Sequence, residues 1–257
     1  MPVIARRVDR LDVEVYGDVA TMARAAADHA ARAIRAAVEV RGVAHAMFAT
    51  GNSQLEFIEA LTTATPDVPW SETIVFHMDE YVGIGPDHPA GFQRWIRERI
   101  VERAHPRTAF YVDGLGDPDQ SCRDYARLLR THPLDLCCLG IGENGHLAFN
   151  DPPVADFDDP LDVKEVSLDQ ASRTQQVNEG HFEDLARVPT RAITVTVPAL
   201  LRARSVMAVA PEHRKAEPVR ASLEGPVWPA CPASALRTKD SATLFLDPGS
   251  ASLLGWR

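Results

Sequence analysis

The spacing of apolar positions predicts a chain in which strands and helices alternate. Short apolar runs bounded by turn-forming residues indicate buried strands, and apolar positions three and four apart indicate helices with one buried face. The predicted strands are 43–49, 73–78, 134–139, 192–197, 205–210 and 243–246, and the predicted helices are 19–40, 54–63, 92–103, 119–130 and 212–223. Asp18 is placed to cap the first helix and Gly42 to end it, whereas Pro218 should kink or weaken the last helix.

This alternation predicts an α/β fold. It implies a doubly wound, mostly parallel sheet with helices on both faces, a modified Rossmann-like arrangement. A length of 257 residues is compatible with one domain, so we expect a single unit over 1–257. The stretch 151–168 carries six carboxylates against one lysine. It predicts a solvated, mobile excursion, and we expect a lid-like segment over about 151–185.

Charge and composition exclude several classes of partner. The formal net charge of −9 argues against nucleic acid, because phosphate backbones require a basic footprint, but a small phosphorylated ligand needs only a few local donors. The N-terminus lacks a long apolar run, so we expect neither a signal peptide nor a membrane anchor. The four cysteines have no metal-ligand spacing, and the adjacent Cys137 and Cys138 should point to opposite faces of one strand. We therefore expect a cytoplasmic protein.

The first loop that could carry chemistry is 50–53, directly before a predicted helix. Free N–H groups at a helix N-terminus attract anions, and the glycine and hydroxyl groups of Gly51 and Ser53 would help to cradle a phosphate. The alternative is a plain helix cap at Ser53. The sequence of this loop alone does not decide between the two.

The second loop is 77–81, at the end of an apolar strand. Asp79 and Glu80 are poorly placed there for packing but well placed for proton transfer, although acids in a solvated loop would give the same pattern. A further hypothesis is a metal site built from His77, Asp79 and His146. No dedicated ligand spacing supports it, and we expect no metal.

The third loop, 140–151, follows the strand at 134–139 and contains three glycines. Glycine allows close approach of the backbone to a ligand, and loops at the carboxyl ends of parallel strands are where ligands bind. His146 is presented on this turn with the carboxylate of Asp151 five residues later, which suits a histidine that changes protonation near neutral pH. A tight turn with an incidental histidine is the alternative.

Lys215 lies in the first turns of the helix that follows the strand 205–210. Most such lysines are surface residues, and a binding role depends on whether this helix points at the same cleft as the three loops. No Gly-x-Gly-x-x-Gly motif opens a helix, and no phosphate-loop lysine motif is present. Neither a dinucleotide nor a nucleoside triphosphate is indicated, and we expect no cofactor.

Two motifs resemble the signature loops of the glucosamine-6-phosphate deaminase/isomerase family. They are the Phe-His-Met-Asp-Glu-Tyr-Val-Gly sequence at 76–83 and the Gly-Ile-Gly-Glu-Asn-Gly-His-Leu-Ala-Phe-Asn-Asp-Pro sequence at 140–152. Weaker matches at 50–53, 192–197 and 214–216 follow in the same order. The related 6-phosphogluconolactonases share the glycine–histidine turn but usually continue with Thr-Ala-Ser, so the Leu-Ala-Phe-Asn of 147–150 favours the deaminase branch.

The resemblance implies a reaction and its catalytic residues. The family converts glucosamine 6-phosphate to fructose 6-phosphate and ammonia. Asp79 would be the base that moves a proton between C2 and C1 of the open-chain sugar, and His146 would help to open the pyranose ring. Asn144 and Asp151 stand where the family has an aspartate and a glutamate that orient the histidine. Asn144 removes a negative charge beside His146, and Asp151 is one methylene shorter, which leaves its reach to His146 open.

The resemblance also implies a phosphate site, with departures. The expected substrate-binding residues are Gly51, Asn52, Ser53, His181 and Lys215. Asn52 replaces a usual glycine, and Gly180 stands where the family usually has an arginine on the phosphate, with His181 beside it as a substitute that cannot offer the bidentate fork of arginine. The stretch after the histidine loop is acidic, so we do not expect an allosteric activator site for a phosphate.

Three functions remain open from the sequence. The first is isomerisation with deamination of an amino-sugar phosphate. The second is a lactonase, a hydrolase acting on a phosphorylated sugar acid, and the third is a non-catalytic sugar-phosphate-binding protein. The 78–81 loop favours the deaminase function. The changes at Asn144 and Gly180 are compatible with the non-catalytic binding protein. A small sugar phosphate is the expected partner in each case, and the sequence leaves assembly as a homo-oligomer open.

Overall fold

The computed structural model describes residues 1–256, without the side chain of residue 171. The strands are β1 (Ile4–Val8), β2 (Leu11–Val15), β3 (Ala44–Phe48), β4 (Thr73–His77), β5 (Asp79–Tyr81), β6 (Thr108–Phe110), β7 (Leu136–Gly140), β8 (Val163–Ser167), β9 (Arg191–Val195), β10 (Ser205–Ala210) and β11 (Ala242–Leu246). The helices are α1 (Val19–Arg41), α2 (Leu55–Glu59), α3 (Phe92–Ile96), α4 (Glu102–Ala104), α5 (Pro118–Thr131), α6 (Gln170–Asn178), α7 (Val197–Leu201) and α8 (Ala216–Glu224). No helix within residues 1–256 is long and apolar enough to cross a bilayer.

Eight strands form the main sheet in the order β1-β2-β11-β10-β7-β3-β4-β6. All neighbouring pairs are parallel except β1 with β2, which form an antiparallel hairpin at one edge. The expectation of a mostly parallel sheet is confirmed. From β3 the chain proceeds to β4 and β6 on one side, and it then crosses to β7, β10 and β11 on the other. The loops after β3 and β7 therefore flank the point where the winding direction reverses, which is where such sheets bind ligands.

The central strands are apolar on both faces because helices cover both. Cys137 of β7 and Val206 of β10 belong to one core cluster, together with residues of α5, α7 and α8. Their neighbours Cys138 and Met207 belong to the other cluster, with residues of α1 and α2. The prediction that the two adjacent cysteines serve opposite faces is confirmed, as a side-chain period of two requires. Such two-sided burial gives continuous apolar runs rather than alternating ones.

The predicted helices are present, with local differences. Asp18 caps α1 through the backbone N–H of Thr21, and Gly42 ends it at φ 72°. Single wide π turns at Ala60–Ala64 and Arg97–Val101 continue α2 and α3. The α-helical part of the last predicted helix begins only two residues before Pro218, after a 3-10 turn. Pro218 thus occupies the first turn, where proline is tolerated, and α8 continues past it to Glu224.

The strand predicted at 192–197 does not join the parallel sheet. It forms β9, the centre of a separate sheet in the order β5-β9-β8, and both of its pairings are antiparallel. The predicted strand is therefore present, but it lies outside the mostly parallel sheet. The side chains on this small sheet pack Tyr81, Phe149 and Phe182 into a third apolar cluster.

The prediction that 151–168 is solvated rather than core is wrong at the two ends of the stretch, whereas residues 152–161 are all exposed or half-buried. Asp151 is almost fully buried, and Val163 and Val166 of β8 are buried against their neighbours. Burial prevails over the local charge in β8 because Val163 packs into the first core cluster and Val166 into the third, while Lys164 and Glu165 stay half-buried. The expectation of a mobile, lid-like segment over 151–185 stays a prediction.

Candidate active site

The carboxyl ends of four neighbouring strands, β10, β7, β3 and β4, open onto one cleft. The cleft holds about 600 Å³ of empty space, part of it open to solvent. Six of the nine residues singled out from the sequence line it, namely Gly51, Asn52, Ser53, Asp79, His146 and Lys215. Asn144 and Asp151 lie behind His146, and His181 contacts the cleft-lining Glu179. Distant segments of the chain thus converge because their strands run parallel.

Asp79 provides a buried carboxylate in the cleft wall. Its side chain is about 6% exposed, and Oδ1 has no hydrogen-bond partner among the described residues. Burial, reinforced by the neighbouring charge of Glu80, raises the pKa of Asp79 well above its usual range. A desolvated carboxylate with a raised pKa is a stronger proton acceptor once ionised, which suits a general base.

Glu80 points away from the cleft, although it is adjacent to Asp79. Its carboxylate accepts hydrogen bonds from the backbone N–H groups of Tyr81 (2.9 Å), Phe92 (3.2 Å) and Gln93 (2.8 Å). It thereby caps the start of α3. Burial raises its pKa to about 7 even though these three hydrogen bonds favour the ionised form. The two acids of the 77–81 loop therefore have different tasks.

The histidine loop is shaped by its glycines. Gly145 has φ 83°, and a Cβ on Gly142 would lie 2.2–2.4 Å from three atoms of the His146 ring. The imidazole therefore packs on bare backbone at Gly142. Asn150 fastens the end of the loop, because its Nδ2 donates to the carbonyl oxygens of Leu147 (2.8 Å) and Val195 (2.9 Å). The loop is thus tied to the small sheet, and its histidine is held in one place.

His146 has two acceptor oxygens at the same ring nitrogen. Nδ1 lies 2.8 Å from Oδ1 of Asn144 and 3.0 Å from Oδ1 of Asp151. Nδ1 therefore carries the proton, and Nε2 is the acceptor of the neutral ring. The shorter side chain of Asp151 does reach His146, which answers the question left open by the sequence.

Asp151 is held by three donors. Besides His146, Nδ2 of Asn144 and Oγ of Ser172 each donate to its Oδ1 at 2.8 Å. Burial favours the neutral acid, but these hydrogen bonds outweigh it, and the pKa of Asp151 falls below its usual value. Asn144 can bridge His146 and Asp151 because an amide offers both an acceptor and a donor, whereas an ionised aspartate would offer only acceptors. The asparagine therefore fits an ionised Asp151.

The 50–53 loop turns into a 3-10 helix that leads directly to α2. Gly51 has φ 100°, and the N–H groups that open such a helix have no intrahelical acceptor. Gln54 pins the loop in place, because its buried Nε2 donates to the carbonyl oxygen of Val209 at 3.2 Å. The geometry suits an anion at this helix start, and the alternative of a side-chain cap at Ser53 is not what the structure shows.

Lys215 reaches the same end of the cleft from the start of α8. It is only 2% exposed, and within residues 1–256 its ammonium group has no hydrogen bond or salt bridge. Burial, with a smaller contribution from Arg214, lowers its pKa to about 8. A buried cation without a fixed partner beside free helix N–H groups is an arrangement that a phosphate would complete.

His181 does not face the cleft in the place expected of a phosphate ligand. Its Nε2 lies 3.4 Å from the carboxylate of Glu179, which itself lines the cleft and also contacts Arg214 at 2.5 Å. Burial would raise the pKa of Glu179, but the hydrogen bonds from His181, Arg214 and Gln175 lower it to about 2. Glu179 and Arg214 were not predicted from the sequence, since nothing in their spacing links them.

His77 lies outside the cleft. It is fully buried, and its Nε2 accepts a hydrogen bond from the backbone N–H of Val112 at 2.7 Å. Burial lowers its pKa to about 3, so the ring is neutral. This arrangement does not fit the hypothesis that one metal is bound by His77, Asp79 and His146.

The site also contains residues that the sequence analysis did not identify. Phe92 and Phe149 form apolar walls of the cleft, and their rings stack at 5.6 Å. Gln175 and Gln176 approach from α6. Ser172, on the same helix, is bonded to Asp151. Had α6 been predicted after β8, its polar residues would have been candidates for the open side of the cleft.

The chain belongs to the family described as glucosamine-6-phosphate isomerases/6-phosphogluconolactonase, which matches residues 17–245. It is 34% identical over 207 residues to the glucosamine-6-phosphate deaminase of Exiguobacterium sibiricum, covering 80% of this chain and 79% of that protein. It is 33% identical to the enzyme of the same name from Latilactobacillus sakei subsp. sakei, covering 80% and 85%.

Solved structures agree with this assignment. A monomeric glucosamine-6-phosphate deaminase superposes with a TM-score of 0.84 at 26% identity, covering 94% of this chain and 99% of that one. A 6-phosphogluconolactonase from Shewanella baltica superposes with a TM-score of 0.76 at 18% identity, covering 94% and 97%. The second likeness shows a shared fold. The protein is an enzyme of the deaminase type, with an α/β fold common to both branches.

Proposed function

We propose that this protein converts an amino-sugar 6-phosphate, with glucosamine 6-phosphate as the first candidate, into the ketose phosphate and ammonia. The observation that carries the proposal is that one cleft contains the buried carboxylate of Asp79, the oriented imidazole of His146 and the unpartnered ammonium of Lys215. These groups match the base, the proton donor and the anion-binding cation that the reaction requires. The relatives named as glucosamine-6-phosphate deaminases support the substrate class.

In this proposal the reaction begins with ring opening by His146. Its Nδ1 proton is fixed by Asn144 and Asp151, so the proton exchanged with the substrate is carried by Nε2. Protonated at Nε2, His146 gives this proton to the ring oxygen as the C1–O5 bond breaks. The C1 hydroxyl gives its proton to water as the carbonyl forms, and the open-chain aldehyde results. Asp151 stabilises the charged ring, because an ionised carboxylate lies 3.0 Å away.

Asp79 then carries the isomerisation. The ionised carboxylate removes the proton from C2 while water gives a proton to the aldehyde oxygen, which leaves an enolamine across C1 and C2. The carboxylic acid of Asp79 then returns the proton to C1. The C2 imine that results is hydrolysed by water to the ketone and ammonia, so atoms balance without a cofactor. General-base catalysis of this kind is typically worth about 10²–10⁴-fold in rate.

The phosphate group would lie between the N–H groups of the 50–53 loop and Lys215. Helix-start N–H groups and a nearby cation are a general solution for binding phosphate. The cleft lies at the switch point of the parallel sheet, where a small ligand of this kind fits. We further propose that the enzyme works in the cytoplasm, since its four cysteines are free and buried.

The test is a turnover screen of hexosamine 6-phosphates that measures ammonia and ketose together. The proposal requires equal amounts of both products from at least one substrate, and any solvent deuterium that exchanges onto Asp79 before the return step should appear at C1 of the ketose. Release of acid from a phosphosugar lactone without ammonia would instead identify a lactonase. Ligand binding without any turnover would identify a sugar-phosphate-binding protein.

A further inference from the structure

Arg214, next to the cleft-lining Lys215, is held by three carboxylates from three parts of the chain. Its Nη1 donates to Glu179 (2.5 Å) at the end of α6 and to Glu143 (3.3 Å) in the histidine loop, and its Nε donates to Glu212 (2.8 Å). The guanidinium is about one quarter exposed. It therefore sits at the rim of the cleft, one carboxylate away from the proposed phosphate position.

That carboxylate belongs to Glu179, which lines the cleft and is mostly buried. It follows the last residue of α6, where the partial negative charge of a helix end disfavours an acid. Gln175 at 2.9 Å, His181 and Arg214 compensate by donating hydrogen bonds or charge. The carboxylate of Glu179 is thus a negatively charged group of the protein itself in the cleft that Lys215 lines.

The charges at this end of the cleft do not suit a phosphate dianion as they stand. Two cations, Lys215 and Arg214, face three carboxylates, those of Glu143, Glu179 and Glu212. A phosphate that entered beside Glu179 would be repelled by it. If the phosphate replaced Glu179, however, its oxygens would accept the same N–H groups, and a guanidinium binds phosphate with two parallel hydrogen bonds.

We propose that Arg214 is a second phosphate-binding residue, which Glu179 holds at the rim until the phosphate of the substrate takes its place. The inference rests on the proposed function, since it requires a phosphorylated ligand in this cleft. It assigns to Arg214 the part that the sequence analysis gave to His181. It also gives Glu179 a role in specificity, because an unphosphorylated sugar has no group that can displace it.

The test measures the affinity of inorganic phosphate, glucosamine 6-phosphate and glucosamine by titration calorimetry. The variants are E179Q, R214M and the double variant E179Q/R214M, and the matched controls are E183Q and R220M, exposed residues away from the cleft. We expect E179Q to bind both phosphate ligands more tightly, by about threefold or more. We expect R214M to weaken them by at least about tenfold in the E179Q background, because a charge-assisted hydrogen bond is worth at least that factor. Glucosamine affinity should stay unchanged.

If E179Q/R214M binds phosphate as tightly as E179Q does, Arg214 only anchors Glu179 and the inference is overturned. K215M separates this result from failure of the proposed function. If K215M weakens the phosphate ligands while the Arg214 variants do not, only the role of Arg214 is wrong. If neither cation matters, the phosphate site itself is wrong.

A crystal structure of the wild-type protein with glucosamine 6-phosphate provides a second test that needs no variant. The inference requires an Arg214 nitrogen within hydrogen-bond distance of a phosphate oxygen and a broken Arg214–Glu179 contact. An intact ion pair in the occupied site would overturn it.

Discussion

Asp79 has a proposed catalytic role, and its ionised carboxylate lowers the free energy of unfolding. Its raised pKa means that the ionised form is less favourable in the folded chain than in the unfolded chain. We expect D79N to reduce kcat by at least about 10²-fold, since the amide cannot accept the proton. The same change should raise the free energy of unfolding at pH 7 by about 0.5–2 kcal/mol. This gain should disappear as the pH falls below about 4, where the carboxyl is neutral in both states.

Kinetics with glucosamine 6-phosphate and urea denaturation at pH 7 and pH 4 check this prediction. The control is D28N, which changes an exposed aspartate on α1 and should leave both quantities close to wild type. Turnover above about a tenth of the wild-type rate would show that Asp79 is not the base.

Gly142 is the residue on which the position of His146 depends. In G142A the new Cβ would overlap the imidazole at 2.2–2.4 Å, so the ring has to move. We expect kcat to fall by about 10²-fold, as displacements near 1 Å in an active site typically cause. G17A is the matched control, because a Cβ on Gly17 meets no atom within 4 Å. Wild-type kcat in G142A would mean that His146 works from another position.

The sequence pointed to the residues proposed to react more readily than to the residues that contact them. Asp79, His146 and Lys215 follow strand ends in parallel register, so topology brings them together. Glu179 and Arg214 could not be paired in advance, because their contact depends on where α6 ends and how it packs. Asp79 and Glu80 could have been separated by recognising a strand at 79–81, since neighbouring residues of a strand point to opposite faces.

At the scale of elements, Glu80 connects β5 to the start of α3. In E80Q the amide nitrogen cannot accept from an N–H group, so at least one of the three hydrogen bonds is lost. We expect the free energy of unfolding to fall by about 1–3 kcal/mol. The pKa of Glu80 is raised to about 7, so its contribution in the wild type is full below about pH 4.5 and declines as the pH rises to 7. The loss in E80Q should therefore shrink between pH 5 and pH 8.

Denaturation of both proteins across this pH range checks the prediction. E39Q, an exposed change on α1, should show no comparable pH-dependent difference. A loss that grows with pH would mean that the ionised form of Glu80 is the stabilising one, contrary to the sign derived from its raised pKa.

Elements with a strong period were predicted well, and short ones were not. The apolar runs of β3, β4, β7, β10 and β11 are buried on both faces and stand out in the sequence. The three-residue strands β5 and β6 are too short to show a period, and β8 carries charges beside an acidic run. Whether β9 joined the parallel sheet could not be known, because its partners were the strands that the pattern did not reveal.

For the whole molecule, the candidate active site contains buried charges that lower the stability of the fold. Lys215 is a buried cation whose pKa is lowered to about 8, so its charge opposes folding at pH 7. Asp79 is a buried acid that lines the same cleft. The phosphate group of a substrate would form an ion pair with this lysine. Binding would then stabilise the folded protein relative to the unfolded chain.

K215M tests this coupling between stability and binding. Without ligand, the variant should be more stable than wild type by about 1–3 kcal/mol at pH 7, because methionine fills the space without a charge. The sign follows from the lowered pKa: the penalty is absent above about pH 10.5, where the lysine is neutral in both states, it develops as the pH falls from about 10.5 to about 8, and it is complete below pH 8. With glucosamine 6-phosphate at 100 times Kd, wild type should gain about 2.7 kcal/mol, and K215M should gain little at the same concentration.

Thermal denaturation with and without glucosamine 6-phosphate measures both effects in one experiment. K239M is the matched control, because Lys239 does not line the cleft and should leave the ligand-induced shift intact. Glucosamine, which lacks the phosphate, should shift wild type and K215M equally. If K215M keeps the full shift with the phosphorylated sugar, Lys215 does not contact phosphate. Its burial would then have to be explained by packing alone, and the anion would have to be bound by the 50–53 loop without a lysine.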